Sequence, residues 1–373
     1  MKVCFIASEV FLGKRRGGFG KLVRMVGREL VKRGFEVSVI CWREPDGESL
    51  IEIDGMEVLS YPYDVTTRSS LKHLMDYTNA VPLIKMADAD VHLSIDCMIE
   101  TYIAQKVMPN RKHVIWVQDP FDESDYRLLG SIDPNYKFNR LKFWVTTELY
   151  KRAYKRADLI LTQAKYYIPK IARLYCVDPR TVKYLPNPVE YIPDESSIIK
   201  SKRPTVCFLG RMDPQKRYWL FFQLAKNFPE VDFVAIGRPS FLYEELYKRI
   251  VNNCQCSENL KIVGFISEEE KSEILSKSWI LCLPSIREGL PIAFLEALAH
   301  KCTLLSSVNP DGLTERFGYW AKRDDFAEGL KWLLEGDKWR KLGKEGYEYV
   351  REVHSLDKVI TELINRLEGV SGR

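Results

Sequence analysis

At 373 residues the chain exceeds what one hydrophobic core ordinarily supports, so two domains are expected. Hydrophobic residues at 46% beside charged residues at 29% exclude a disordered or collagen-like chain. A net charge of +5 over this length suits phosphates or anionic lipid headgroups but is no nucleic-acid footprint.

Lys2 to Ala7 reads as a short apolar strand. After a basic loop (Lys14, Arg15, Arg16), Gly17, Gly18, Phe19 and Gly20 open a helix that runs to about Arg33. Strand, glycine-rich turn and helix together bring backbone N–H groups close to a phosphate. A dinucleotide-binding fingerprint needs a further Gly where Val23 stands, which disfavours a dehydrogenase. Phe35–Trp42 and Met56–Tyr61 read as strands, Leu71–Ala87 as a helix, and Val91–Ile95 and His113–Val117 as strands. That alternation predicts a doubly wound parallel sheet. The last of these strands ends in Gln118, Asp119 and Pro120, at the carboxyl edge where such sheets bind ligands. In the helix expected over Phe138–Ala157, Leu141, Trp144 and Leu149 alternate with Lys142, Lys151, Arg152, Lys155 and Arg156. It reads first as a core helix with snorkelling basic residues, and second as a membrane-surface helix. Strands at Leu159–Thr162 and Val182–Leu185, then Pro186, Asn187 and Pro188, close a first domain over residues 1–192. Pro193–Arg203 reads as the linker.

A second domain over residues 204–355 opens with the strand Thr205–Leu209, which runs into Gly210, Arg211, Met212, Asp213, Pro214, Gln215 and Lys216. Two cations five residues apart at a strand's carboxyl end suit a diphosphate, Arg as a bidentate donor and Lys as a point charge. Strands at Val231–Ile236 and Leu260–Phe265 and a helix over Ser267–Ser278 lead to the stretch Ile280–Ser307. This reads as strand, loop, helix from Leu290 to His300, and strand from Thr303. Two carboxylates punctuate it. Glu288 stands beside a helix start whose free N–H groups suit an anion. Glu296 is placed two turns into the helix, roughly 9 Å along the axis from Glu288 if each residue rises 1.5 Å. Three helices finish the chain.

The phrase Ser285, Arg287, Glu288, Gly289, Leu290, Pro291, Leu295, Glu296, Ala297 resembles the E-x7-E signature of retaining GT-B glycosyltransferases, the large family four. FLGRMDPQK resembles the family's second signature, in which Arg211 and Lys216 would hold the leaving group. The resemblance implies two Rossmann-like doubly wound parallel-sheet domains facing each other across a cleft. Residues 1–192 would bind the acceptor and 204–355 the nucleotide sugar, with the final helix over 356–373 crossing back to the first domain. It implies sugar transfer from a nucleotide-diphosphate donor to a glycan, lipid-linked or small-molecule acceptor, with retention. Glu288, Arg211 and Lys216 then take catalytic roles. Gly17, Gly18, Gly20, Gly210, Phe265, Ile266, Gly289, Leu290, Pro291 and Glu296 line the donor, and Gln118, Asp119 and Asn187 lie on the sugar or acceptor side. Where many relatives carry a His for the transferred sugar, this chain offers Gln118.

The five His residues show no ligand spacing, and Asp88 and Asp90 lie in a loop away from the phosphate motifs, so metal-free catalysis without a cofactor is expected. Nine cysteines, with Cys4, Cys41, Cys207 and Cys282 in apolar runs and no C-x-x-C pair (Cys254 and Cys256 are too close), point to a reducing cytosolic compartment. The opening MKVCFIASE is neither a signal peptide nor a membrane span. Two rivals stand beside glycosyl transfer. A nucleotide-sugar epimerase of GT-B-like fold would need acid and base groups on the sugar. A nucleic-acid-binding module would use the basic helix, but leaves Glu288 and Glu296 unexplained, so no nucleic-acid partner is expected. Peripheral membrane contact through residues 138–157 is kept as the partner reading of that helix.

Overall fold

A computed structural model describes residues 1–10, 17–43, 49–63, 76–254 and 257–372. The basic loop Lys14–Arg16, the start of the helix expected from Leu71, and Cys256 lie outside them. The described residues build two sheets. The first holds β1 (Lys2–Ile6), β2 (Glu36–Arg43), β3 (Leu50–Ile53), β4 (Met56–Pro62), β5 (Val91–Ile95), β6 (Lys112–Val117), β7 (Leu159–Thr162) and β8 (Val182–Tyr184), in spatial order β3-β4-β2-β1-β5-β6-β7-β8. The second holds β9 (Thr205–Leu209), β10 (Asp232–Ile236), β11 (Leu260–Gly264), β12 (Ile280–Leu283), β13 (Thr303–Ser306) and β14 (Gly318–Trp320), in order β11-β10-β9-β12-β13-β14. The central strands read as continuous apolar runs, because helices cover both faces of a parallel sheet. β5 and β12 are buried at every residue.

All pairings are parallel except β3 against β4, where Leu50 faces Leu59 and Ile53 faces Met56. Strand β3 was not expected. It is a half-exposed edge strand, joined to β4 through Asp54 (φ 53°) and Gly55 (φ 77°). That Asp-Gly pair with both φ positive is the favoured two-residue hairpin turn. In each sheet the chain leaves one central strand in one direction and returns on its other side: β1 leads to β2 while β5 returns, and β9 leads to β10 while β12 returns. Loops at the carboxyl ends of such neighbours diverge and leave a crevice for a ligand.

The chain divides into two compact units, Met1–Pro120 with Asn139–Pro188 and Asp357–Arg373, and Phe121–Phe138 with Val189–Leu356. This differs from the expected boundaries in two places. Phe121–Phe138 packs with the second unit, held by Arg287 on Asp125 at 2.7 Å and by Tyr243 donating to Asp133. The expected linker Pro193–Arg203 is also integrated there. Tyr347 donates to the Pro193 carbonyl at 2.9 Å, and Lys200 Nζ donates to the carbonyls of His300 at 2.6 Å and Leu275 at 3.3 Å. Burial holds that ammonium below the ordinary lysine range. The last helix, Leu356–Ser371, joins the first unit through Arg33 to Asp357 at 2.7 Å.

The helix expected over Phe138–Ala157 forms as Arg140–Arg156, and its core reading fails at the N-terminal half. Leu141 is 71% exposed and Trp144 61%; only Ala153 and Tyr154 of this helix are buried. Cys4, Cys41, Cys207 and Cys282 are buried free thiols. No helix among the described residues is long and apolar enough to cross a membrane.

One glycine fixes the second sheet's ligand edge. Gly237 has φ 138°, and a Cβ there would meet the Gly210 carbonyl oxygen at 1.9 Å. Gly237→Ala should lower the second unit's stability by more than about 1 kcal/mol, through backbone strain and clash together. Gly336→Ala, at φ 60° in open space, should cost less. Melting curves of the two variants compare them, and equal effects would refute the clash.

Candidate active site

Three loops meet at the carboxyl edge of the second sheet and are tied by main-chain bonds. Gly210 N–H donates to Ile236 O at 3.1 Å, Met212 N–H to Arg238 O at 3.0 Å, and Gly237 N–H to Gly264 O at 2.8 Å. Gly210, at φ 156°, turns the chain out of β9. The next turn, Pro214–Lys216, is tied to the loop after β12: Ile286 N–H donates to Gln215 O at 2.9 Å, and Gln215 Nε2 to Arg287 O at 2.9 Å. That tie places Lys216 Nζ 2.5 Å from Glu288 Oε1, with side chains 16% and 8% exposed. Cation and carboxylate are each other's counterion across the β9/β12 switch point.

The helix after Glu288 runs Ile292–Ala299, not from Leu290. Pro291 restricts the residue before it and itself stands extended at φ −63°, ψ 127° as the N-cap. Glu296 is therefore the fifth helical residue, little more than one turn in. Its Oε1 accepts from Lys271 Nζ at 2.8 Å, and both side chains are largely buried. Lys271 belongs to the helix Glu268–Lys277, whose Ser267 N-cap accepts from Glu270 N–H. That helix follows Phe265, half exposed, and Ile266. The two glutamates thus hold cations from two different elements, the turn Pro214–Lys216 and the helix Glu268–Lys277. Leu290 and Pro291 are buried and shape the loop; Gly289 is half-buried between them and Glu288. Arg211 reaches Asp213 at only 3.4 Å and stays 60% exposed, a cation open to a ligand.

Two arginines to which the sequence reading assigned no role stand here. Arg287, 6% exposed, is locked between the Asp125 carboxylate and the face of Phe121, 3.7 Å from its guanidinium. Arg217, at φ 45°, donates to Pro284 O at 2.8 Å and pairs with Asp324 at 2.6 Å. Both brace the loop that carries Glu288. Arg287 stands in the E-x7-E phrase, but no sequence signal announces the partners of either arginine, because Asp125 and Asp324 come from distant elements.

The first unit holds the other expected residues, differently employed. Gly17 caps the helix Gly18–Lys32. Glu9 fills the anion position that was read for a phosphate: its carboxylate accepts from Gly17 N–H at 3.2 Å and Gly20 N–H at 3.1 Å. A Cβ on Gly17 would lie 2.2 Å from Glu9 Oε1. Gln118 and Asn187 are buried, with Asn187 Nδ2 donating to Gln118 Oε1 at 2.8 Å, so they tie β6 to the chain after β8 instead of facing a sugar. Asp119 accepts from Tyr167 OH at 2.8 Å. Asp88 and Asp90 both face Arg111, at 2.6 and 3.6 Å.

Family models match both halves of the chain: "Glycosyltransferase Family 4" over residues 16–191 and "Glycosyl transferases group 1" over 193–349. The chain belongs to the group 1 glycosyltransferases. Its fold is GT-B. It is similar to the N-acetylgalactosamine-N,N'-diacetylbacillosaminyl-diphospho-undecaprenol 4-alpha-N-acetylgalactosaminyltransferase of Campylobacter jejuni, 25% identical over 225 residues. That match covers 56% of this chain and 60% of the relative, so the chain aligns with under two thirds of it. Among solved structures, the sucrose-phosphate synthase of Thermosynechococcus elongatus superposes with TM-score 0.79 at 14% identity over 99% of both chains. HepE of Anabaena, in complex with UDP-glucose, gives 0.72 at 13% identity over 98% of this chain and 99% of its own.

For this glycosyltransferase, the Lys216–Glu288 pair is mostly buried, so removing one partner strands the other's charge. Lys216→Met should cost about 1 to 3 kcal/mol in the second unit, and the double variant Lys216→Met/Glu288→Gln should recover part of it. Denaturant titration of the wild type, the two single variants and the double variant measures the coupling, and strict additivity would show that the pair does not interact.

Proposed function

We propose that this glycosyltransferase moves a sugar from a nucleoside diphosphate sugar to an acceptor hydroxyl, with retention at the anomeric carbon and without a divalent cation. The Lys216–Glu288 pair carries the reading. A cation and a carboxylate that neutralise each other at a switch point suit a ligand bearing both phosphate and hydroxyls. Phosphate oxygens take Glu288's place on Lys216, and the freed carboxylate accepts from a sugar hydroxyl. Exposed Arg211 adds a second, bidentate cation for the diphosphate. Glu296, next to the loop of Phe265 and Ile266, suits the ribose hydroxyls. HepE's UDP-glucose complex supports the donor class.

As the bond from C1 to the β-phosphate oxygen breaks, the sugar gains oxocarbenium character and the phosphate gains charge. Fixed cations aimed at that charge lower the barrier, the work a metal does in other enzymes. The acceptor oxygen bonds to C1 on the face the phosphate leaves, and its proton passes to the departing phosphate oxygen. Acceptor classes are a glycan, a lipid-linked saccharide or a small molecule. The Campylobacter relative's name specifies a diphospho-undecaprenol substrate, which supports the lipid-linked class. For such an acceptor, exposed Leu141, Trp144 and Val145 beside Arg140 and Lys142 would rest on an anionic membrane face from the cytosolic side.

Removal of the two glutamates should produce different kinetics. An interaction that strengthens as charge develops alters kcat, while one made equally in both states alters KM. Glu288→Gln should lower kcat by one or more orders of magnitude, about 1.4 kcal/mol per tenfold, and Glu296→Gln should chiefly raise the donor KM. Steady-state kinetics measured well below each variant's melting temperature decide it, and the reverse pattern would reverse the roles.

Transfer should survive exhaustive EDTA treatment. Activity lost to chelator and restored by magnesium or manganese would overturn the metal-free assignment.

A further inference from the structure

The helices Glu268–Lys277 and Ile292–Ala299 carry the two members of the Lys271–Glu296 pair, and a second set of bonds joins the same two helices. His300, the C-cap of the second helix, is 3% exposed. Its ring stands between the helices: Nδ1 lies 2.7 Å from the carbonyl oxygen of Glu296, one turn back, and Nε2 lies 2.8 Å from Ser272 Oγ. Burial, joined by the nearby Lys200 and Lys271 cations, lowers the imidazole to about 4, so the ring is neutral near pH 7 and carries one N–H. The Glu296 carbonyl can only accept. The proton is therefore on Nδ1, and Nε2 accepts from the Ser272 hydroxyl.

Ser272 follows Lys271 directly in the chain, which closes a circuit around one residue. Lys271 Nζ donates to the Glu296 carboxylate at 2.8 Å, His300 donates to the Glu296 carbonyl, and Ser272 joins the two holders. Glu296 is held by main chain and side chain alike. The C-terminal ends of the two helices are also tied: Lys200 Nζ, from the segment Pro193–Arg203, donates to Leu275 O at 3.3 Å and to Ser278 O at the end of the first, and to His300 O at 2.6 Å at the end of the second. An ammonium suits that place, because intrahelical donors run out there and the negative end of each helix dipole lies there. Sliding one helix along the other would break both the Lys200 contacts and the Ser272–His300 bond.

We propose that Ser272 and His300 are positioning residues for the donor's ribose, acting through Glu296 by setting the carboxylate that meets the ribose hydroxyls. This role rests on the ribose contact of Glu296 proposed above. Loss of the Ser272 hydroxyl should then weaken a nucleotide only where it has ribose hydroxyls for Glu296 to hold. A bond that merely joins two helices would affect every nucleotide alike.

The test is calorimetric titration of the full chain with UDP, GDP and ADP, and then with the 2′,3′-dideoxy form of whichever binds most tightly. Wild type should prefer the ribose form, and that preference should fall roughly threefold or more in Ser272→Ala and in His300→Leu, the scale of one hydrogen bond. Ser272→Thr, which keeps the hydroxyl, should restore it. In a Glu296→Ala background Ser272→Ala should change the preference no further, because the group it acts through is gone. Should His300→Leu unfold, the Ser272 variants decide. A preference unchanged by Ser272→Ala, or a loss shared equally by the two nucleotides, overturns the positioning role alone. A wild type that binds no nucleotide, or binds both forms alike, removes the ribose contact of Glu296 and the positioning role with it.

Discussion

The contact between Lys216 and Glu288 depends on a constraint of sheet topology. Only where strand order reverses do two loops from neighbouring strands part at the carboxyl edge, and in the second sheet those are the loops after β9 and β12. The main-chain bond from Ile286 to Gln215 and the side-chain bond from Gln215 to Arg287 tie the loops just short of that parting. The next residues of the two loops, a cation and a carboxylate, meet at 2.5 Å. Arg287 on Asp125 and Arg217 on Asp324 hold the surrounding loop, so the charges are fixed in direction before any ligand arrives. Preorganisation of this kind lets charge stabilisation act without reorganisation during the reaction.

The same principle recurs with opposite sign. At the helix Gly18–Lys32 the chain supplies its own anion, Glu9, to backbone N–H groups that would otherwise be unsatisfied. At Glu296 it supplies a cation, Lys271. The charges at these three positions are therefore each met by a group of the protein itself.

Much of the architecture was legible in order of sequence because its signals are local. Continuous apolar runs of four to six residues ending in Gly, Pro or Asp identified the central strands, and the strand order follows the doubly wound rule. Strand β3 was missed although Asp54-Gly55 carries its signal, because its alternation is short and half-exposed. Gln118 and Asn187 were read as ligand contacts from their place at a sheet edge; their side chains turn inward to bond each other. Pro291 moved the helix start by two residues and with it the depth of Glu296, a shift that the rule for residues before proline predicts.

The sequence by itself determined the two parallel sheets, the loops at their carboxyl ends and the residue types placed there, since strand periodicity, glycine turns and proline breaks act over a few residues. Only the tertiary structure decided which charges meet. Lys216 finds Glu288 across 72 residues and Arg287 finds Asp125 across 162; Phe121–Phe138, from the first half of the chain, packs with the second unit. Pairings at such separations depend on packing that no local pattern records, because the free energy of an ion pair depends on the burial and geometry that distant elements impose.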